Sequence, residues 1–356
     1  MDIEFHYYMT YLIAARAGYS PKDATIIAHA AQSVDDNHIP VRLADKHGTV
    51  YENNLSQTMD IVRPHEDAEI YPIFHFIPGD PKAATARRVD KVEHPMVTTP
   101  DSVLANAMID AALESKDLYR IGVSAHGFVD TWAHQNFVGQ RDTFNEFETG
   151  FFARVRDEFL AVGHAHAKHN PDWPALVWED SRMVNSRIDN KARFMMAAGR
   201  LFEKFARQTK PGIPVATLQA EVAALRADLS EDIGPQDDAN ANVEVRIERY
   251  IKRGATGPYG GVEIPRYVVG TWFKESIAEP RDEVLKQTVS QLPIPFLADV
   301  IDALEDVVAD GNRQNVTWRN PDPAVYKLGN WFRFQEGVKA HLQACLKMLK
   351  AERLAA

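Results

Sequence analysis

The residues best suited to chemistry are histidines and aspartates. Of the 13 histidines, all but His341 lie at or before His169. In "GVSAHGFVDTWAHQNFVG" (122–139), His126, Asp130 and His134 recur at every fourth position. A helix turns about 100° per residue, so these side chains fall within about 80° of one another along roughly 12 Å of axis. One ion does not easily take all three. His126 and Asp130 can share a metal ion, while Asp130 bridges towards a neighbour and His134 serves another. Imidazole and carboxylate are ordinary zinc ligands, and a divalent ion offsets the cost of burying an acid. The same spacing also suits a plain histidine–aspartate hydrogen bond. Further ligands are needed to decide between them.

Other segments offer them. A helix over 20–36 places Ala24, Ile27, Ala28, Ala31 and Asp35 on one apolar stripe, which faces a core. Asp35 is then buried and calls for a cation or donors; Asp36 is the alternative, and both acids are solvated if the helix ends at Val34. "IYPIFHFIPGDP" (70–81) sets His75 among apolar neighbours, and "EFHYYMTY" sets His6 among aromatics. Both patterns also fit packed core histidines. "GHAHAKHNPDWP" (163–174) carries His164, His166, His169 and Asp172, with His164 ending an apolar run and best placed to point inwards.

The elements needed to bring these segments together read as helices. Besides 20–36, helices are expected over 3–17, 101–114, 118–139, 145–162 and 180–208. Ser20, Pro21 and Asp23 make a helix start: a cap, a first-turn proline, and an acid at the positive helix end. Residues 37–100 lack a long helical period and are expected to hold short extended pieces such as "IYPIFHFI". "KPGIP" (210–214) is the candidate boundary between a metal-binding helical domain, 1–209, and a helical C-terminal extension packed on it, 210–356. That extension is expected to hold helices near 214–230, 240–252, 295–309 and 323–352, with a glycine-rich turn at 254–265 that lacks the phosphate-loop pattern. The fold class expected is all-α.

Composition narrows the function. The single cysteine, Cys345, excludes an intramolecular disulfide and a cysteine-based zinc site. The net charge of −10 disfavours nucleic acid as partner. No apolar run reaches membrane-spanning length, and "MDIEFHYYMT" lacks a signal-peptide pattern. A cytoplasmic protein is expected, and oligomeric state stays open.

In order along the chain, His6, Asp35, His75 in "FHFIPGDP", His126-x3-Asp130-x3-His134, and His164 resemble the zinc-dependent phospholipase C and single-strand nuclease superfamily. "HGFVDTWAH" is similar to a segment of its glycosylphosphatidylinositol-specific phospholipase D branch, and "DTWAHQNF" resembles an uncharacterised bacterial family. The likeness covers residues 1 to about 180. It implies an all-helical phospholipase C/nuclease-like fold with two or three Zn²⁺ ions in a cleft. By that likeness, Asp35, His75, His126 and Asp130 hold the first ion, His134 and His164 the second, and His6 with Asp130 the third. Asp35 is the implied general base. The relatives give a mature N-terminal amine and carbonyl to the third zinc; here Asp2 or Glu4 is the implied substitute. They also place an acid four positions after the histidine matching His164. Here that position is Lys168, so Asp172, His166 or His169 must serve. The implied activity is hydrolysis of a phosphoester, a phospholipid or small phosphodiester. The alternative is a non-catalytic helical metal-binding or interaction protein.

Overall fold

The computed structural model describes residues 1–57, 70–147, 163–284 and 313–355. The chain enters through a π-helical turn, Glu4–Met9, which runs directly into α1, Thr10–Ala17. Gly18 ends α1 at φ 117°, a left-handed backbone that glycine takes without strain. Helix α2, Pro21–Asp36, starts as its sequence requires: Ser20 Oγ accepts the N–H of Asp23 beside the first-turn proline. Side-chain caps also open α3, Val103–Ser115, from Ser102, and α4, Leu118–Ala133, from Asp117. Further helices are α5 (Asn190–Thr209), α6 (Val215–Ile233), α7 (Val243–Gly254) and α8 (Asn330–Ala355).

The fold is mainly helical, but the all-α expectation needs correction. Strand β1 (Val41–Ala44) pairs antiparallel with β2 (Val50–Glu52) and parallel with β5 (Gln314–Val316). Strands β3 (Val177–Glu179) and β4 (Arg187–Asp189) form an antiparallel pair. Each has three or four residues, too few to display the period-two alternation of a strand. That hairpin also delays the helix expected from 180 until Asn190. The expected helix over 323–352 divides into Pro323–Tyr326 and α8. Residues 70–74, expected to be extended, are helical. Ile73 and Phe74 are wholly buried, and an apolar run buried on every side has no periodic signature. The helices expected over 145–162 and 295–309 fall outside the described residues, apart from 145–147.

Helix α4 is the hub, packed against α2, α3, α5 and α8. Its glycines permit this. A Cβ on Gly122 would stand 2.3 Å from the Ile27 carbonyl oxygen of α2. A Cβ on Gly127 would stand 2.8 Å from the Phe74 carbonyl oxygen. His126 is therefore pressed between α2 and the segment carrying His75. The expected boundary at 210–214 is the turn between α5 and α6. One buried apolar cluster runs across it, joining Phe5 and Phe128 to Leu225, Trp331 and Val338. No helix among the described residues is long and apolar enough to cross a membrane.

Candidate metal centre

Four histidines converge, each fixed by a backbone carbonyl. Nδ1 of His126 bonds to the Ala31 carbonyl (2.8 Å), and Nε2 of His75 to the Ser56 carbonyl (2.9 Å). Nδ1 of His134 bonds to the His75 carbonyl (2.9 Å), and Nδ1 of His164 to the Lys168 carbonyl (2.8 Å). A carbonyl only accepts, so each ring spends its N–H there and turns its other nitrogen, bare, towards the aspartates. Metal-binding histidines are held in this way.

The bare atoms form a definite figure. His75 Nδ1 and His126 Nε2 are 3.1 Å apart. Asp130 Oδ2 lies 3.5 Å from the first and 3.2 Å from the second. Asp35 Oδ1 lies 3.8 Å from the first and 3.5 Å from the second. A tetrahedral zinc with bonds near 2.05 Å has ligand atoms about 3.3 Å apart. These five spacings, 3.1–3.8 Å, lie near that value. Two bare ring nitrogens and two carboxylate oxygens repel one another unless a cation lies among them.

Two further groups adjoin it. His134 Nε2 is 3.2 Å from Asp172 Oδ1, and His164 Nε2 is 3.4 Å from Asp172 Oδ2. His6 Nε2 lies 3.2 Å from Asp130 Oδ1, its ring stacked on His126 at 3.7 Å between centroids. Neither nitrogen of His6 makes a hydrogen bond, nor does Asp130 Oδ2, although all are buried. Buried polar atoms are nearly always paired, and orphans gathered around one point fit a divalent ion. The α-amine of Met1 reaches the same place, 2.6 Å from Asp130 Oδ1 and 3.3 Å from Asp172 Oδ1.

A family model described as a family of unknown function (DUF6765) matches residues 1–349. The chain belongs to that family. No curated protein and no solved structure matches it.

The electrostatics keep the donors in their metal-binding forms. Burial lowers His6 and His164 to about 4, against the pull of Asp130 and Asp172 respectively. Burial and the neighbouring His6 hold His126 well below its ordinary value. Burial would raise Asp130, but His134, the Met1 amine, His126 and His6 outweigh it and keep the acid well below the carboxylate range. Asp172 is depressed in the same sense: burial is overcome by His164 and the Met1 amine. That amine is raised to about 11, since Asp130, Asp172 and Asp35 together exceed its desolvation. Neutral imidazoles and ionised carboxylates are what a metal ion needs.

Most of the expected ligands lie in three groups, while Asp36, His166 and His169 lie in none of them. Three groups have donor atoms within 4.8 Å of one another: His6, His126 and Asp130; Asp35, His75 and His126; His134, His164 and Asp172. Asp35 is not fully buried as its stripe implied, its side chain being 29% exposed, because α2 ends one residue later. Asp36 is in none of the groups; it accepts the Tyr267 hydroxyl and lines a separate cavity with His29 and Trp272. His134 is not inside the helix but caps it, which frees its ring to meet Asp172. Asp172 fills the place four after His164 that Lys168 leaves open. His169 instead lies near Trp173, their rings stacked at 5.9 Å. The Glu4 substitute is corrected, because its carboxylate is held by Arg246. Asp2 accepts the Glu4 N–H at 3.0 Å. The sequence reading missed the Met1 amine and every orienting carbonyl, which carry no residue-type signal.

Proposed function

We propose that the chain is a metal-dependent phosphoester hydrolase, taking two or three Zn²⁺ ions and acting on a phospholipid or small phosphodiester. The observation that supports it most is the figure made by His75 Nδ1, His126 Nε2, Asp35 Oδ1 and Asp130 Oδ2, whose spacings of 3.1–3.8 Å suit one tetrahedral ion. Asp35, His75, His126 and Asp130 would hold the first ion. His134, His164 and Asp172 would hold the second, and His6 with Asp130 the third. Bound ions would supply positive charge for phosphoryl oxygens, and the ions with three or two protein ligands would leave positions for an acidified water.

The chain's own residues do the rest. The Ala31, Ser56, His75 and Lys168 carbonyls fix four ring tautomers before anything binds. Asp130, 1% exposed, is shielded from bulk water, so its part would be to hold ions rather than to exchange protons with solvent. Asp35 combines a place in the group with partial exposure to solvent, so it can take a proton from an attacking water. Its general-base role follows from that position. The acidic balance of the chain favours a small or lipid phosphoester over nucleic acid.

The test is hydrolysis of a chromogenic phosphodiester by purified protein. Activity should vanish on chelation, return with Zn²⁺, and be lost in Asp35→Asn. Activity indifferent to chelation would count against the metal, and full activity in Asp35→Asn against the general base.

A further inference from the structure

The C-terminal half contributes no ligand to the three groups, yet it sends one charged side chain to their edge. Arg246 of α7 is 1% exposed. Its Nε and Nη2 each donate to Glu4 at 2.8 Å, and its Nη1 donates to Asp237 at 2.8 Å. The Tyr250 hydroxyl adds a fourth contact, 3.1 Å from Glu4 Oε2. Taking both charges out of water is costly, and a buried pair of this kind is weak support for stability. Its geometric effect is more specific. Glu4 is the first residue of the π-helical turn Glu4–Met9. Such turns are rare and concentrate at functional sites. His6 lies in this turn, stacked on His126 and facing Asp130.

Resting on the metal-centre reading, we propose that Arg246 is a positioning residue. Its grip on Glu4 holds the chain's first turn in π winding, and that winding aims His6 at Asp130. An α-helix closes its hydrogen bonds one residue sooner than a π-helix. Rewinding Glu4–Met9 as α would shift the register by one residue before Thr10, and one residue is about 100° of rotation. His6 would swing away from Asp130 while α1 stayed in place. Two contacts oppose that rewinding: the two-pronged Arg246–Glu4 pair, and the Thr10 hydroxyl donating to the Phe5 carbonyl at 2.9 Å. The first spans 242 residues of sequence, so the C-terminal half sets the orientation of an N-terminal ligand.

The test counts bound zinc by elemental analysis after dialysis of the full chain against Zn²⁺. Wild type, His6→Ala, Arg246→Met, Arg246→Lys and the double variant Glu4→Leu/Arg246→Met are compared. Arg246→Met should lose the same single equivalent as His6→Ala, with its helical circular dichroism kept and faster amide exchange over residues 5–10. Arg246→Lys, which keeps the charge but not the fork, should recover only part of the binding. The double variant removes both charges of the Arg246–Glu4 pair, and Asp237 keeps the Ala241 and Asn242 N–H donors, so it carries the test if Arg246→Met does not fold; it too should lack the equivalent. A folded Arg246→Met or double variant with the wild-type zinc count, beside a His6→Ala that has lost one, would overturn the clamp alone. A wild type that takes up no zinc would overturn the metal centre and the clamp with it.

Discussion

Helix α2 ends in two adjacent acids that serve different neighbourhoods. Asp35 faces His75 and His126; Asp36 faces Tyr267 and shares a cavity lining with His29 and Trp272. Both neighbourhoods hold buried histidine and aspartate, so residue type does not separate them. Hydrogen-bond arithmetic does. Around Asp36 donors meet acceptors: the Tyr267 hydroxyl donates to the carboxylate, His29 Nδ1 pairs with Ser33 Oγ at 3.1 Å, and the His29 ring stacks on Trp272 at 3.9 Å. At His75 and His126 the orienting carbonyls have consumed the ring N–H groups, so two bare nitrogens face carboxylate oxygens of Asp35 and Asp130, while the Met1 amine donates to Asp130 Oδ1 at 2.6 Å. Bare nitrogens set against carboxylates are the arrangement that suits a cation.

The largest predicted contrast is in metal content. His126→Ala should remove most bound zinc, since His126 belongs to two of the three groups. His29→Ala should leave zinc unchanged and cost only stability. Elemental analysis of both variants checks this, and equal losses would erase the distinction between the two regions.

Next comes the packing that presses them together. Gly122→Ala puts a methyl group 2.3 Å from the Ile27 carbonyl oxygen, so α4 and α2 must separate. Overpacking of this kind costs about 3 kcal/mol, read as a lower urea midpoint, with weaker zinc binding because both helices carry ligands. A smaller effect is expected at the satisfied site. Tyr267→Phe leaves Asp36 without that donor and should cost about 1.5 kcal/mol at constant zinc content in the same assays.

A separate effect concerns pH. Burial lowers His29 to about 4 and His341 to about 3, against an ordinary value near 6.5. Between pH 6.5 and 4 the unfolded chain binds protons that the folded chain refuses. Their contribution is therefore full above pH 6.5 and declines as pH falls through that window. Urea midpoints should drop from pH 7 to 4.5, and the drop should be shallower in His341→Leu.

Much of the centre was legible because it is written in local spacing. The four-residue steps of His126, Asp130 and His134 place three candidate side chains along one helix and its C-cap, and the Ser20 cap fixes the start, hence the register, of α2. His75 was legible as a residue but not as a conformation, since a run buried on all sides has no period. That Asp172 rather than His169 lies beside His134 and His164 follows from the fold of the 163–173 loop, which spacing does not encode. The Met1 amine, the four carbonyls and Arg246 were out of reach for another reason. Backbone groups are the same at every position, and a contact across 242 residues leaves no local trace.

The most direct measurement is a zinc-edge anomalous difference map from crystals grown with Zn²⁺. It should show a peak enclosed by Asp35, His75, His126 and Asp130, and another between His134, His164 and Asp172. A map without peaks there, with the His75 and His126 rings turned to hydrogen-bond each other or nearby acids, would contradict the metal centre.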